Sequence, residues 1–254
     1  MPDPDNKDDD GPQYTMYSTL PVVAKRASQN KRMYGVITYV RADLAKHIHR
    51  ARGVSWDDEG RVLILELPSL AILNVYAVNG TDAPYIPRST GSSTSQTRHH
   101  RKRQFNHLLL QECVSLQNDR GLQLCLVGDI NISHFGVDSV PRLRAAENHV
   151  LARKEFNEIF LPRSGLVDVW RERHGMLERE YTWFNMWKEE GTDCARVDMI
   201  LCSRGVFEVA SEVEIERWGG QESKSDHAIM WIGIDGFDMR PRTAREDTTV
   251  EDIT

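Results

Sequence analysis

The sequence predicts a mixed α/β sandwich. Short apolar runs bounded by turn residues recur between residues 33 and 234, and stretches with helical periodicity lie between them. The 254 residues are enough to bury a sizeable core, and 40% hydrophobic with 28% charged residues is the balance of a globular chain. No apolar run approaches the roughly 20 residues needed to cross a bilayer, so no membrane span is expected.

The elements follow in order. Residues 1–30 open with MPDPDNKDDD, are acidic and polar, and are expected to be disordered rather than a secretory or transit signal. Met33–Val40, Arg61–Leu67 and Ala71–Val78 read as strands, with Pro68 and Ser69 turning the second into the third. Residues 80–104 carry Pro and Gly breaks, a Ser/Thr-rich run and the basic run Arg98–Arg103, and read as a long surface loop. Phe105, Leu109, Cys113 and Leu116 then share one face of a helix. Leu122–Val127 is nearly continuous in apolar residues, as for a strand covered on both faces. A weaker helical pattern spans Ala145–Phe160, and strands are expected at Leu166–Trp170, Tyr181–Phe184, Val197–Cys202, Val209–Ile215 and Ala228–Ile234. The folded domain is therefore placed at 31–236, with 237–254 a second disordered tail.

The net charge of −6 resides in the ends: residues 1–10 carry −4 and residues 241–254 carry −2, leaving the body neutral. A neutral body is compatible with a nucleic-acid partner, because a local basic face matters more than the total. Arg98–Arg103 is either a solvated face or such a contact. Cys113, Cys125, Cys194 and Cys202 show neither CxxC pairs nor zinc-ligand spacing, which reads as buried thiols in a reducing, intracellular compartment.

Three strand ends carry polar clusters: Gly128-Asp129-Ile130-Asn131, Arg196-Val197-Asp198 and Ser225-Asp226-His227. Singly each is compatible with a turn or a cap. In this order, with Tyr76-Ala77-Val78-Asn79 upstream and Tyr181-Thr182-Trp183 between, they resemble the endonuclease/exonuclease/phosphatase superfamily. The run from Gly128 through Asn131 and His134 to Asp138 is more narrowly similar to exonuclease III-like apurinic/apyrimidinic endonucleases.

The resemblance implies a DNase I-like four-layer fold, two mixed sheets flanked by helices, and a metal-dependent DNA phosphodiesterase of repair type in the nucleus. It implies Asp129 as the group that activates water, Asn131 on the phosphate or water, and His227 as donor to a non-bridging oxygen, oriented by Asp198. Tyr76 and Asn79 would contact the phosphate or leaving oxygen, and Trp183 and Trp187 would wall a sugar or base. Asp226 would hold Mg²⁺ or Mn²⁺. His134 and Asp138 are either part of that site or pins for the loop. The family's first two strands, with an Asn and a metal-binding Glu, have no counterpart here: no Glu precedes Glu59. The chain is thus expected to begin after that Glu, to leave a sheet edge open to self-association, and to cleave abasic-site duplex weakly. The alternatives are a retroelement-type endonuclease domain and an inactive remnant that at most binds DNA.

Overall fold

A computed structural model describes residues 11–21, 34–87, 89–217 and 225–237. The strands are β1 (Tyr14–Thr19), β2 (Val36–Arg41), β3 (Arg50–Arg52), β4 (Val62–Glu66), β5 (Leu70–Tyr76), β6 (Gln123–Asp129), β7 (Ser139–Val140), β8 (Leu166–Asp168), β9 (Trp183–Phe184), β10 (Cys194–Ala195), β11 (Asp198–Ser203), β12 (Ala210–Glu216) and β13 (Ile229–Ile234). The helices are α1 (Ala42–Ala45), α2 (Arg98–Asn118), α3 (Glu147–Glu155), α4 (Leu161–Ser164), α5 (Val169–His174) and α6 (Arg204–Phe207), with a single wide helical turn, Phe156–Phe160, joining α3 to α4.

A six-stranded sheet in the order β3-β4-β5-β6-β11-β8 organises the molecule. Because side chains alternate along a strand, each strand feeds two different cores. Leu73, Val75, Leu124, Leu126, Met199 and Leu201 face α2 and meet Phe105, Leu109, Cys113 and Leu116. The opposite face carries Tyr76, Asp129 and Asp198 near one end of the sheet, and two hairpins cover it. The β1–β2 hairpin packs Tyr17, Val36 and Val40 on Leu63, Leu65, Ile72 and Tyr76. The β12–β13 hairpin packs Val213, Ile215, Met230 and Ile232 on Ile200, Cys202 and Trp170. β5 and β6 are parallel, and α2 is the crossover between them. A small sheet, β7-β10-β9, flanks the end where Asp129 lies.

Three expectations are corrected. Residues 1–30 are not wholly disordered: Tyr14–Thr19 is a strand laddered to β2, while residues 1–10 and 22–33 lie outside the described residues. Its inward face buries little beyond part of Tyr17, so its apolar alternation is faint. The loop expected at 80–104 ends early, because Thr97 caps α2 by accepting from the His100 N–H, and the basic run becomes the first turns of that helix. Leu166–Trp170 is half strand: Asp168 accepts from the Arg171 N–H at 3.2 Å and starts α5. The tail expected at 237–254 lies, from residue 238 on, outside the described residues.

All four cysteines are buried thiols, as expected. Cys125 and Cys202 oppose each other on β6 and β11 with sulfurs 3.5 Å apart.

Candidate active site

The site forms where β6 stops. Gly128 has φ +125°, and a Cβ there would lie 2.1 Å from the Val75 carbonyl oxygen, so only glycine lets β5 run so close. Asn131 then takes a left-handed φ of 56° and folds back on Asp129. Its N–H donates to Asp129 Oδ1 at 2.8 Å and its Nδ2 to Oδ2 at 2.9 Å. The same Nδ2 donates to the Ala77 carbonyl at 2.9 Å. The amide of Asn131 is therefore spent on orienting Asp129.

Asp129 and Asp198 are register partners across β6 and β11. The next rung is hydrogen bonded, Ile130 N–H to Val197 O at 2.9 Å, so the aspartates occupy a non-hydrogen-bonded rung, where side chains stand closest. Burial, and then the charge of Asp198, push the Asp129 carboxyl up to about 7, against the opposing pull of His227, the Asn131 N–H and Lys102. His227 Nδ1 lies 2.7 Å from Asp198 Oδ2. Burial alone would lower His227, but the hydrogen bond and charge of Asp198, with Asp129 and Asp226, outweigh it and hold the imidazole above its usual value.

Tyr76, the β5 register partner of Asp129, enters the same cavity, and its phenol is raised by burial and then by Asp129. Asp226 Oδ2 accepts from Trp183 Nε1 at 3.2 Å, and Trp183 bridges to His227 through the backbone. Asn79 Oδ1 accepts from Arg144 Nη1 at 3.2 Å. The cavity, about 430 Å³, is lined by Tyr76, Asn79, Asp129, Asn131, Trp183, Asp226 and His227, with Asp198 reaching it through His227. Eight of the nine residues singled out in the sequence thus converge. Trp187 is the exception: it is 96% exposed and does not line the cavity, its backbone N–H donating to Asn185 Oδ1 in the turn after β9.

His134 and Asp138 are pins. Asp138 pairs with Arg171, and with Arg196 Nε at 2.9 Å, inside the protein. Arg196 also reaches Asp168 at 2.8 Å, and His134 Nε2 lies 2.8 Å from the same carboxylate. This network fastens the loop after Asp129 to the start of β11 and to α5. The cavity is also lined by Lys102, Arg142, Arg144, His149 and Arg153, of which only Lys102, within Arg98–Arg103, stood out in the sequence. Of the run Arg98–Arg103, expected to be a solvated face or a phosphate contact, only Lys102 lines the cavity, while Arg98, Arg101 and Arg103 pair with carboxylates.

Among the described residues, no three His, Cys, Asp or Glu side chains form a group that could cage a metal ion. The donors fit a hard divalent cation only in the sparse manner Mg²⁺ accepts, one or two carboxylates with the remaining oxygens from water and phosphate. The carboxylates that line the cavity are Asp129, Asp193 and Asp226.

No family model matches the chain. A stretch of 131 residues, 51% of the chain, is 27% identical to an exodeoxyribonuclease of Bacillus subtilis (strain 168). The match spans 46% of that relative, less than half its length. Among solved structures, the chain superposes on a variant of the 3′ phosphatase NExo from Neisseria bound to product DNA hairpin with TM-score 0.63 and 22% identity, covering 87% of this chain and 79% of that one. An AP endonuclease from Archaeoglobus fulgidus gives TM-score 0.61 and 17% identity over 87% and 79% of the two chains. The 3′-5′ exonuclease NExo from Neisseria meningitidis gives 0.58 and 20% over 87% and 80%. The fold is therefore the DNase I-like fold of the exonuclease III-like nucleases and phosphatases, as the motifs implied.

Proposed function

We propose that this chain is a DNA phosphodiester hydrolase of apurinic/apyrimidinic endonuclease type. The observation that supports it most is the Asp129, Asp198, His227 constellation: one carboxyl set near neutrality beside an imidazole held toward its cationic form. Asp129, fixed by Asn131, takes the proton of the attacking water as a general base. His227, steadied by Asp198, donates to a non-bridging phosphate oxygen and opposes the charge that grows there. Tyr76 lies beside Asp129 and, with Asn79 in the same cavity, contacts the phosphate or the leaving oxygen. A Mg²⁺ or Mn²⁺ ion, held by Asp226, supplies Lewis-acid charge when bound. Trp183 offers an apolar wall for a sugar or base. Exonuclease or 3′-phosphatase use of the same groups would need only a different fit of the DNA end.

The test is cleavage of a duplex bearing one abasic site, over a range of Mg²⁺ and Mn²⁺, by the chain and by Asp129→Asn. Weak cleavage abolished in Asp129→Asn is the expected result; no cleavage of abasic, nicked or 3′-phosphorylated DNA at any metal concentration would sink the proposal. A second reading, DNA binding without turnover, draws on the sparse carboxylate set. Unchanged DNA affinity without cleavage would favour it. A repair role in the nucleus belongs to the same proposal, and exclusion of a tagged chain from nuclei would count against it.

A further inference from the structure

Five basic side chains share the cavity with Asp129 and His227 but play no part in the chemistry described: Lys102, Arg142, Arg144, His149 and Arg153. The partners of Lys102, Arg144 and Arg153 set these three apart from the arginines that neighbour Lys102 in α2. In the first turns of α2, Arg98 pairs with Glu59 at 2.6 Å, Arg101 with Asp57 at 3.0 Å, and Arg103 with Glu155. Lys102, from the same run and only 2% exposed, is given a neutral partner instead, the Asn131 carbonyl oxygen at 2.7 Å. Arg144 donates to the Asn79 amide oxygen at 3.2 Å. Arg153 reaches only the Arg144 carbonyl oxygen, at 3.4 and 3.5 Å. Among the described residues, no carboxylate oxygen lies within 4.0 Å of any of these three cations.

The crowding has a cost that the protein carries. Burial, then the nearby charge of Arg144, push Lys102 down to about 8, and Asp129 is the acid that opposes this. Burial, then Arg144 and Lys102, push His149 down to about 4. The His149 ring meets the buried His99 ring edge-on at 4.7 Å, and the acid nearest His99 is the exposed Asp82, 3.8 Å away. Asp193 lines the same cavity but pairs with Lys188 at 2.7 Å, and Asp129 acts on Lys102 only from a distance. Positive charge gathered along a concave wall with no carboxylate in ion-pair contact is what an anion-binding site looks like before its anion arrives.

We propose that Lys102, Arg144, His149 and Arg153, with Asn79 at the rim, form a second anion site, a seat for the phosphate adjacent to the scissile one on a nucleic-acid strand. The phosphate chemistry rests on the cluster itself; the assignment to a strand rests on the hydrolase reading. The seat would hold the strand in register against Asp129 and His227, and two arginines suit the bidentate gripping of phosphate.

The test uses two probes, inorganic phosphate and a short oligothymidylate, with the double variants Arg144→Gln/Arg153→Gln and Arg144→Lys/Arg153→Lys. Circular dichroism and melting temperature establish that both fold. The Gln variant is expected to bind phosphate about 10-fold more weakly, and its oligonucleotide affinity should lose about 1–2 units of slope against log salt. The Lys variant should retain most of both. Phosphate binding that ignores the Gln change, or that depends on His227→Gln instead, overturns the site. A loss of phosphate binding with an unchanged oligonucleotide salt slope overturns the strand assignment. Intact anion binding without cleavage of any DNA would sink the hydrolase reading and leave this site standing.

Discussion

Asp129 and Asp198 face each other on one rung of two antiparallel strands, yet His227 bonds to only one of them, Nδ1 to Asp198 at 2.7 Å. That asymmetry gives two identical side chains different work. Asp198 is compensated by the imidazole, while Asp129 keeps the repulsion and stays close to neutrality, at about 7.

Cleavage should therefore rise with pH through about 7, as Asp129 loses its proton, and fall again once His227 deprotonates above its usual range. In Asp198→Asn, Asp129 loses a repelling charge and its pKa falls, so the acid limb moves to lower pH. His227 loses its support at the same time, and the alkaline limb moves down too. The rate should drop about 10²–10⁴-fold. A pH–rate profile of both proteins reads all three effects.

Arg196 is fully buried between Asp138 and Asp168. Arg196→Met would leave Asp138 with Arg171 and Asp168 with His134 but remove the cation buried between the two carboxylates, and a loss of about 3 kcal/mol is expected in urea unfolding. Burial alone would raise Asp168, but His134 and Arg196 hold it well below the ordinary carboxylate value. A depressed acid stabilises the fold above its unfolded pKa, about 3.9, and the contribution drains away as pH falls below that. The melting temperature of the parent should decline below about pH 4 more steeply than that of Asp168→Asn.

Gly128→Ala should cost about 1–3 kcal/mol, because the new methyl meets the Val75 carbonyl and φ is positive. Asp129 would shift with it. Thermal melts and cleavage assays should both report the change, whereas Gly136→Ala, with open space at its Cβ, should behave as the parent.

The outer face of β1–β2 exposes Met16 and Tyr39, which are cross-strand partners at 56% and 62% exposure, together with Tyr14 and Ile37. Such a face favours association between copies. Sedimentation should show concentration-dependent dimers or larger species, reduced in Met16→Lys/Tyr39→Lys; a monodisperse monomer at high concentration would count against this.

The parts of the site legible in the sequence are those at strand ends. Alternation puts Asp129 and Asp198 on one face, and a polar pair after an apolar strand stands out in the text. Convergence of the basic residues on the cavity was not legible. Lys102, Arg144 and Arg153 come from three separate segments, and the arginines around Lys102 are engaged elsewhere. The start of α2 was hidden because a basic first turn opposes the helix dipole, and only the carboxylates of Glu59, Asp57 and Glu155, far away in sequence, make it tenable. β1 was hidden by an outward face of Tyr14, Met16 and Ser18 that masks its alternation.

Among the described residues, the layer over the Asp129 face of the central sheet is two hairpins with no ladder between them. Each hairpin rests on its own cluster of side chains, so opening one breaks no hydrogen bond in the other. Amide hydrogens in β5, β6 and β11 should exchange with solvent only through global unfolding. Those of β1–β2 and of β12–β13 should exchange faster, each at its own rate. His227 lies two residues before β13, so its imidazole is carried by the β12–β13 hairpin while Asp129 and Asp198 belong to the central sheet. The lifetime of the closed β12–β13 hairpin then sets how long the assembled site persists between openings.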